Sequence, residues 1–236
     1  MSTFHFQQFS VIQQLSGMKI CTDATLFGAM APISGGERVL DIGTGTGLLS
    51  LMAAQLGAGS ITGIEITAEA HSEAVSNFSA SPWAERLQAV KGDVRNFAPT
   101  ADSKYDLIIC NPPFFEEHLK ATAALRSTAR HSDHLPFPDL ITVVENLLSD
   151  EGLFYLLLPV HGVERLCRLA EVKGIYLVDR TDIRGYRRNS AKVSALTFRR
   201  KPNAFVSRLL TIYCSERAYS DESRGYLIDF LLRFKK

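Results

Sequence analysis

The stretch Val39-Leu40-Asp41-Ile42-Gly43-Thr44-Gly45-Thr46-Gly47-Leu48 decides the fold. Arg38 to Ile42 is a short apolar run carrying one acid, the pattern of a buried strand, and Leu48 to Leu56 reads as the helix behind it. Between them, glycines stand at alternate positions. Glycine lets a backbone turn sharply and approach a ligand closely, and the helix start that follows favours a negative group. A dinucleotide turn reads G-x-G-x-x-G. Here the third glycine comes one residue early and an acid ends the strand. The spacing points to a ligand other than a pyrophosphate.

Outward from this turn, apolar runs alternate with amphipathic stretches. Ser60 to Ile66, Leu87 to Val90, Tyr105 to Cys110, Leu153 to Leu158 and Tyr176 to Ile183 read as strands. Ala68 to Ser79, Leu140 to Leu148 and Val163 to Val172 read as helices. Such alternation builds right-handed βαβ units, and near-continuous apolar strands suit a sheet covered on both faces. Val193 to Phe198 and Arg208 to Tyr213 are two more strands, joined by a short connection with Pro202-Asn203, so this end is expected to be antiparallel. A helix over Asp221 to Phe234 closes the chain. Met18 to Cys21 reads as a strand and Asp23 as the N-cap of a helix through Leu26 and Met30. The expected fold is α/β: a doubly wound, mostly parallel, seven-stranded Rossmann-like sheet with an antiparallel C-terminal part. It forms a single domain over 1–236, with 1–35 a cap segment on a 36–236 core.

Two further acids fall at strand ends. Glu65, before Ile66, lies 22 residues after Gly43, where a carboxylate can accept hydrogen bonds from both hydroxyls of a ribose. Gly92-Asp93-Val94 follows the third strand, where Asp93 can accept from an adenine amino group while the Val94 backbone N–H meets a ring nitrogen. Read alone, each acid is a surface turn residue. In this order around Gly43, Gly45 and Gly47, with Asp41 ahead of them, they outline a site for S-adenosylmethionine.

Asn111-Pro112-Pro113-Phe114 follows the fourth strand, at the sheet edge where open α/β folds bind ligands. Consecutive prolines stiffen the chain and donate no N–H, leaving carbonyls as acceptors. An exocyclic amine on a nucleobase is planar and poorly nucleophilic. If the Asn111 side-chain oxygen and the Pro112 carbonyl each accept one of its N–H groups, its lone pair can be aimed at a methyl donor, while Phe114 stacks on the base. A glutamine amide poses the same electronic problem, so a protein substrate stays open, as does a silent cofactor-binding module.

Length, 46% hydrophobic and 22% charged residues fit an ordinary globular protein, and no apolar run approaches the length of a membrane span. The N-terminus lacks the features of a secretory signal, and four scattered cysteines suggest reduced thiols, so a cytoplasmic location is expected. Net charge is +1, yet Arg180 to Arg208 holds nine basic residues against Asp182 alone, a local +8. Such a segment is either a solvated face or a footprint for nucleic-acid phosphates. Arg184, Arg187, Arg188 and Lys192 are the candidates there. Arg126 and Arg130 either meet phosphates or form surface ion pairs. His131 and His134 make an H-x-x-H pair with no third ligand, so no metal is expected.

Together with Met18-Lys19-Ile20-Cys21-Thr22-Asp23 and Ser81-Pro82-Trp83-Ala84-Glu85-Arg86, these motifs resemble the class I S-adenosylmethionine-dependent methyltransferases over nearly the whole chain. Within them they resemble the bacterial enzymes that methylate adenine N6 in tRNA. The resemblance implies cofactor contacts at Asp41, Gly43, Gly45, Glu65, Asp93 and Asn111, with Lys19 and Thr22 in a segment closing over the site. It also implies an adenine beside an anticodon, a tRNA partner and a monomer. Phe114 stands where such enzymes often carry Tyr; related guanine N2-methyltransferases also carry Phe, so guanine remains an alternative base.

Overall fold

The computed structural model describes residues 3–15, 19–98, 104–112, 135–216 and 218–235. The chain opens with a hairpin of β1 (Thr3–His5) and β2 (Ser10–Ile12), then α1 (Thr22–Ala29). The alternating body follows as β3 (Arg38–Ile42), α2 (Leu48–Leu56), β4 (Ser60–Glu65), α3 (Ala68–Ser79), β5 (Leu87–Lys91) and β6 (Tyr105–Cys110). It continues with α4 (Phe137–Leu147), β7 (Leu148–Pro159), α5 (Val163–Val172), β8 (Tyr176–Arg184), β9 (Val193–Arg199) and β10 (Val206–Thr211). A small pair, β11 (Tyr213–Ser215) and β12 (Ala218–Tyr219), precedes α6 (Asp221–Leu227).

The central sheet has the order β10-β8-β9-β7-β6-β3-β4-β5. Alternate side chains of its strands enter two separate cores. Val39, Leu107, Ile109, Tyr155 and Leu157 pack with α1, α2, α3 and α6, while Leu40, Ile108, Phe154 and Leu156 pack with α4 and α5. Burial on both faces explains why these strands are apolar at nearly every position.

Three expectations need correction. The sheet has eight strands among the described residues, not seven, and β9 and β10 are not neighbours. β9 runs antiparallel between β7 and β8, whereas β10 lies parallel on the outer side of β8. The connection 200–205 steps over one strand, a span of about 10 Å at ordinary strand spacing, which six residues cover easily. Second, the last helix stops at Leu227. Phe230 and Leu231 turn inward instead, with Phe6 bridging to Leu231 and the Gln7 N–H donating to the Phe230 carbonyl at 2.8 Å. Third, Lys19 to Cys21 is not a strand, since the Ile20 N–H donates to the Gln13 side chain at 2.8 Å in place of a ladder partner. Helix α1 begins at Thr22 with Cys21 at its cap position, so Asp23 lies in the first turn and caps nothing.

The glycine turn is shaped by its surroundings. Gly47 has φ +87°, and a Cβ there would sit 2.3 Å from Phe78 Cε1 of α3. Gly43 has φ +71° but open space where its Cβ would be. Gly47→Ala is therefore expected to destabilise the fold by about 2–5 kcal/mol through backbone strain plus overpacking. Gly43→Ala should cost the backbone part alone, about 1–3 kcal/mol. Urea unfolding of both variants checks the ordering; equal losses would refute the packing role of Phe78.

Candidate active site

Strand register assembles the site. Ile42 pairs with Ile64 on one side and with Cys110 on the other, and Ile64 pairs with Val90. One residue further, Asn111, Gly43, Glu65 and Lys91 therefore emerge in a row at the carboxyl edge. The turn is fastened to this row by its own backbone: the N–H groups of Gly43 and Thr44 donate to the Ile64 carbonyl at 2.9 and 3.0 Å.

Asp41 lies fully buried beneath the turn. Its Oδ2 accepts from the Thr44 and Ser50 hydroxyls, each at 2.7 Å, and its Oδ1 has no partner. Glu65 is also buried; its Oε2 accepts from the Gly45 N–H at 2.9 Å, and its Oε1 accepts from the Thr67 N–H and hydroxyl. Glu65 thus braces the turn across the groove. Ile66, beside it, leaves a large apolar side chain 38% exposed, a surface suited to the face of a flat ring. Asp93 caps the short 3₁₀ turn over Val94–Asn96 and is clasped by the Arg95 guanidinium, which holds its carboxyl below the usual range. Val94 is buried under it.

Asn111 closes the row. Its Oδ1 is shielded from water and has no hydrogen-bond partner among the described residues. An acceptor left in that state costs free energy unless a ligand satisfies it. Pro112 follows it; Pro113, Phe114, Arg126, Arg130, His131 and His134 lie outside the described residues. Next to Asn111, Cys110 is buried, and burial, with the Asp41 charge, pushes its thiol up. Among the described residues no group of His, Cys, Asp and Glu could hold a metal ion.

The N-terminal stretch through β2 lies against α3. The Asn77 side chain exchanges two hydrogen bonds with the Ile12 backbone (2.8 and 3.0 Å) and donates to the Thr46 carbonyl at 2.8 Å, linking this stretch directly to the glycine turn. Glu73, one turn earlier, accepts from the N–H groups of Gln14 and Leu15. Sequence reading missed both residues. Their signal was present, as polar side chains at i and i+4 on the apolar face of α3 that also carries Ala70, Ala74 and Phe78. Lys19 donates to the Gln13 carbonyl. Thr22 meets the Tyr213 hydroxyl at 3.1 Å.

The basic segment divides by strand direction. Because β9 runs antiparallel, Arg199, Arg200 and Lys201 fall at the amino edge, where Arg200 reaches the Glu145 and Leu148 carbonyls and Lys201 pairs with Glu151. Arg180 pairs with Asp182, and Arg208 with Asp179. Arg184, Arg187, Arg188 and Lys192 instead occupy the β8–β9 connection, on the same edge as Asn111. Arg187, Arg188 and Lys192 are exposed there, and Arg184 donates to the Thr211 hydroxyl.

S-adenosylmethionine fits these residues on three observations: open space over Gly43 and Gly45, a strand-end carboxylate at Glu65, and unpartnered buried oxygens on Asp41 and Asn111. Burial, aided by the Glu65 charge, raises the Asp41 carboxyl from 3.8 to about 6 against the hydroxyls that lower it. A raised folded value means the folded state holds its proton longer than the unfolded chain. The stability it contributes is full below the unfolded value and lost as pH rises toward about 6. Between about pH 4 and about pH 7, the unfolding free energy of Asp41→Asn should therefore gain about 2–3 kcal/mol on the wild type. Denaturant titrations at the two pH values check this, and a constant difference would contradict it.

A methyltransferase-domain family model matches residues 39–134. Over 232 residues the chain is 38% identical to the tRNA1(Val) (adenine(37)-N6)-methyltransferase of Flavobacterium psychrophilum, covering 98% of this chain and 99% of that one. It is 40% identical over 174 residues to the enzyme of that name from Bacteroides fragilis (73% of each chain), and 36% identical to that of Yersinia enterocolitica (98% and 93%). Among solved structures, a predicted O-methyltransferase from Agrobacterium tumefaciens superposes with a TM-score of 0.66 at 16% identity, over 86% of this chain and 94% of that one. A glycopeptide N-methyltransferase complexed with S-adenosylmethionine gives 0.53 at 14%, over 77% and 87%. These two share the fold; two of the three sequence relatives match over nearly the full length of both chains, and the chain belongs to the tRNA1(Val) (adenine(37)-N6)-methyltransferase family.

Proposed function

We propose that this chain transfers a methyl group from S-adenosylmethionine to the N6 nitrogen of adenine 37, beside the anticodon of tRNA1(Val). The observation that carries the chemistry is the shielded, unpartnered Asn111 Oδ1 at the end of β6, in register with the glycine turn. The relatives' shared name supports the substrate, and the basic β8–β9 connection on the same edge supports an RNA.

When bound, S-adenosylmethionine supplies an electrophilic methyl group carried on sulfur. Asp41, Gly43, Gly45, Gly47, Glu65, Ile66, Asp93, Val94 and Asn111 would hold it, with Lys19 and Thr22 in the cap. Asn111 Oδ1 and the Pro112 carbonyl accept the two N–H groups of the target amine, drawing its lone pair out of conjugation and toward the methyl. Phe114, with Pro113 stiffening the loop, stacks on the extruded base. After transfer the nitrogen is cationic and acidic, and its extra proton leaves to water, so no general base is needed. Rate enhancement comes from positioning and from acceptors fixed in advance.

Residues 1–236 act as one methyltransferase domain, 1–35 forming the cap, a reading supported by the Asn77 and Glu73 hydrogen bonds. The chain is read as a monomer, and four free thiols suit a reducing cytoplasm. Arg126 and Arg130, with Arg184, Arg187, Arg188 and Lys192, meet RNA phosphates.

With labelled cofactor and bulk tRNA, nucleoside digestion should yield N6-methyladenosine; label in N2-methylguanosine alone would overturn the base, and label in protein alone the substrate class. Asn111→Ala should lower kcat by about 10²–10³-fold while cofactor affinity is much less affected. Unchanged turnover would remove Asn111 from the mechanism. Replacing Arg187 and Arg188 together by Ala should reduce the slope of log affinity against log salt by about 1.4–2, two phosphate contacts' worth. An unaltered slope would leave them a solvated face.

A further inference from the structure

Beyond the Asn111 row, the same edge carries a second built feature. Four aromatic rings follow one another away from the β8–β9 connection. Tyr186 lies 5.4 Å from Tyr213 between ring centroids, Tyr213 lies 5.0 Å from Tyr219, and Tyr219 lies 5.7 Å from Phe234. All four are half-buried, and Tyr213, Tyr219 and Phe234 also pack against the core. Arginines flank them: Arg188 lies over Tyr186, Arg233 over Tyr219 and Phe234, and Arg224 over Phe234. The row is held to the catalytic edge by backbone, since the Tyr213 N–H donates to the Gly185 carbonyl at 2.9 Å. It is held to the cap by the Thr22 and Tyr213 hydroxyls.

The row ends at a cavity of about 470 Å³, walled by Phe4, Ile20, Tyr219 and Leu231 with His5 and Thr22 as polar points. Arg233 also lines it. That volume lies in the range of small-molecule pockets, about 300–1,000 Å³. Ring faces, an apolar slot with a few polar groups and flanking guanidinium groups are together what single-stranded RNA asks of a protein. Bases stack on aromatic faces and phosphates meet arginine.

We infer that the Tyr186–Tyr213–Tyr219–Phe234 row is a stacking surface for unpaired nucleotides flanking the methylated one, and that the cavity beside Tyr219 receives a flanking base. This rests on the reading that the substrate is RNA. It assigns the row a share in substrate affinity that the Asn111 loop does not supply.

The test uses the full chain and an anticodon stem–loop RNA with 2-aminopurine placed in turn on either side of the target adenine. Wild type and Tyr219→Phe should quench the probe at one or both positions. Tyr219→Leu and Tyr186→Leu should lose quenching and bind the hairpin about tenfold more weakly, with cofactor affinity unchanged. Leucine variants that fold and bind RNA within about twofold of wild type overturn the inference. Should a leucine variant not fold, wild-type fluorescence decides: probes that stay bright at both positions overturn it. If wild type methylates the hairpin while the probes stay bright, only this inference fails. If wild type neither binds nor methylates RNA, the function proposed above fails with it.

Discussion

The pairing of Ile42 with both Ile64 and Cys110 is the constraint from which the site follows. Parallel strands in register end at one level, so whatever residue comes next on each strand is delivered to the same line. Here those residues are a glycine, a glutamate and an asparagine. A slip of one residue in β6 would exchange the two faces of the strand and carry Asn111 off the line. The two apolar cores forbid that slip, because Ile108 and Ile109 are each fully buried on opposite faces. Core packing and catalytic geometry are thus the same fact seen from two sides.

The parts of the molecule that sequence made legible are those fixed by local rules. A glycine turn between an apolar run and a helix, an acid two residues past a glycine at the end of β4, and a loop after β6 depend on neighbours in the chain. What escaped depends on partners far away. Asn77 and Glu73 are ordinary polar residues until Ile12, Gln14 and Leu15, about sixty positions earlier, arrive to be hydrogen-bonded. The C-terminal helix ends early because Phe230 and Leu231 gain more by burial against Phe6 than by continuing the helix, a tertiary override of local propensity. The place of β10 escaped because six connecting residues serve a hairpin and a one-strand crossover equally well.

Strand direction also sorts the charge, which composition could not. The local +8 looked like one patch, but an antiparallel β9 sends its two ends to opposite edges of the sheet. At the amino edge, acids and carbonyls already engage Arg200, Lys201 and Arg208. At the carboxyl edge, Arg187, Arg188 and Lys192 stay exposed beside the row that holds Asn111. The effective basic surface is smaller than the sequence suggests, and better placed.

Asp41 shows how the turn is kept both rigid and receptive. One carboxylate oxygen is occupied by the Thr44 and Ser50 hydroxyls, which tie the turn to the start of α2, while the other is left open. A buried carboxylate so arranged is costly in the empty protein, as its raised value records. The same cost makes a donor or cation arriving at Oδ1 more favourable than it would be in water, because the desolvation has already been met by the fold. Asn111 Oδ1, at the end of the neighbouring strand, is likewise buried without a partner among the described residues. Among the described residues the site therefore holds two unsatisfied buried acceptors, and a group that satisfied either of them would recover free energy the fold has already spent.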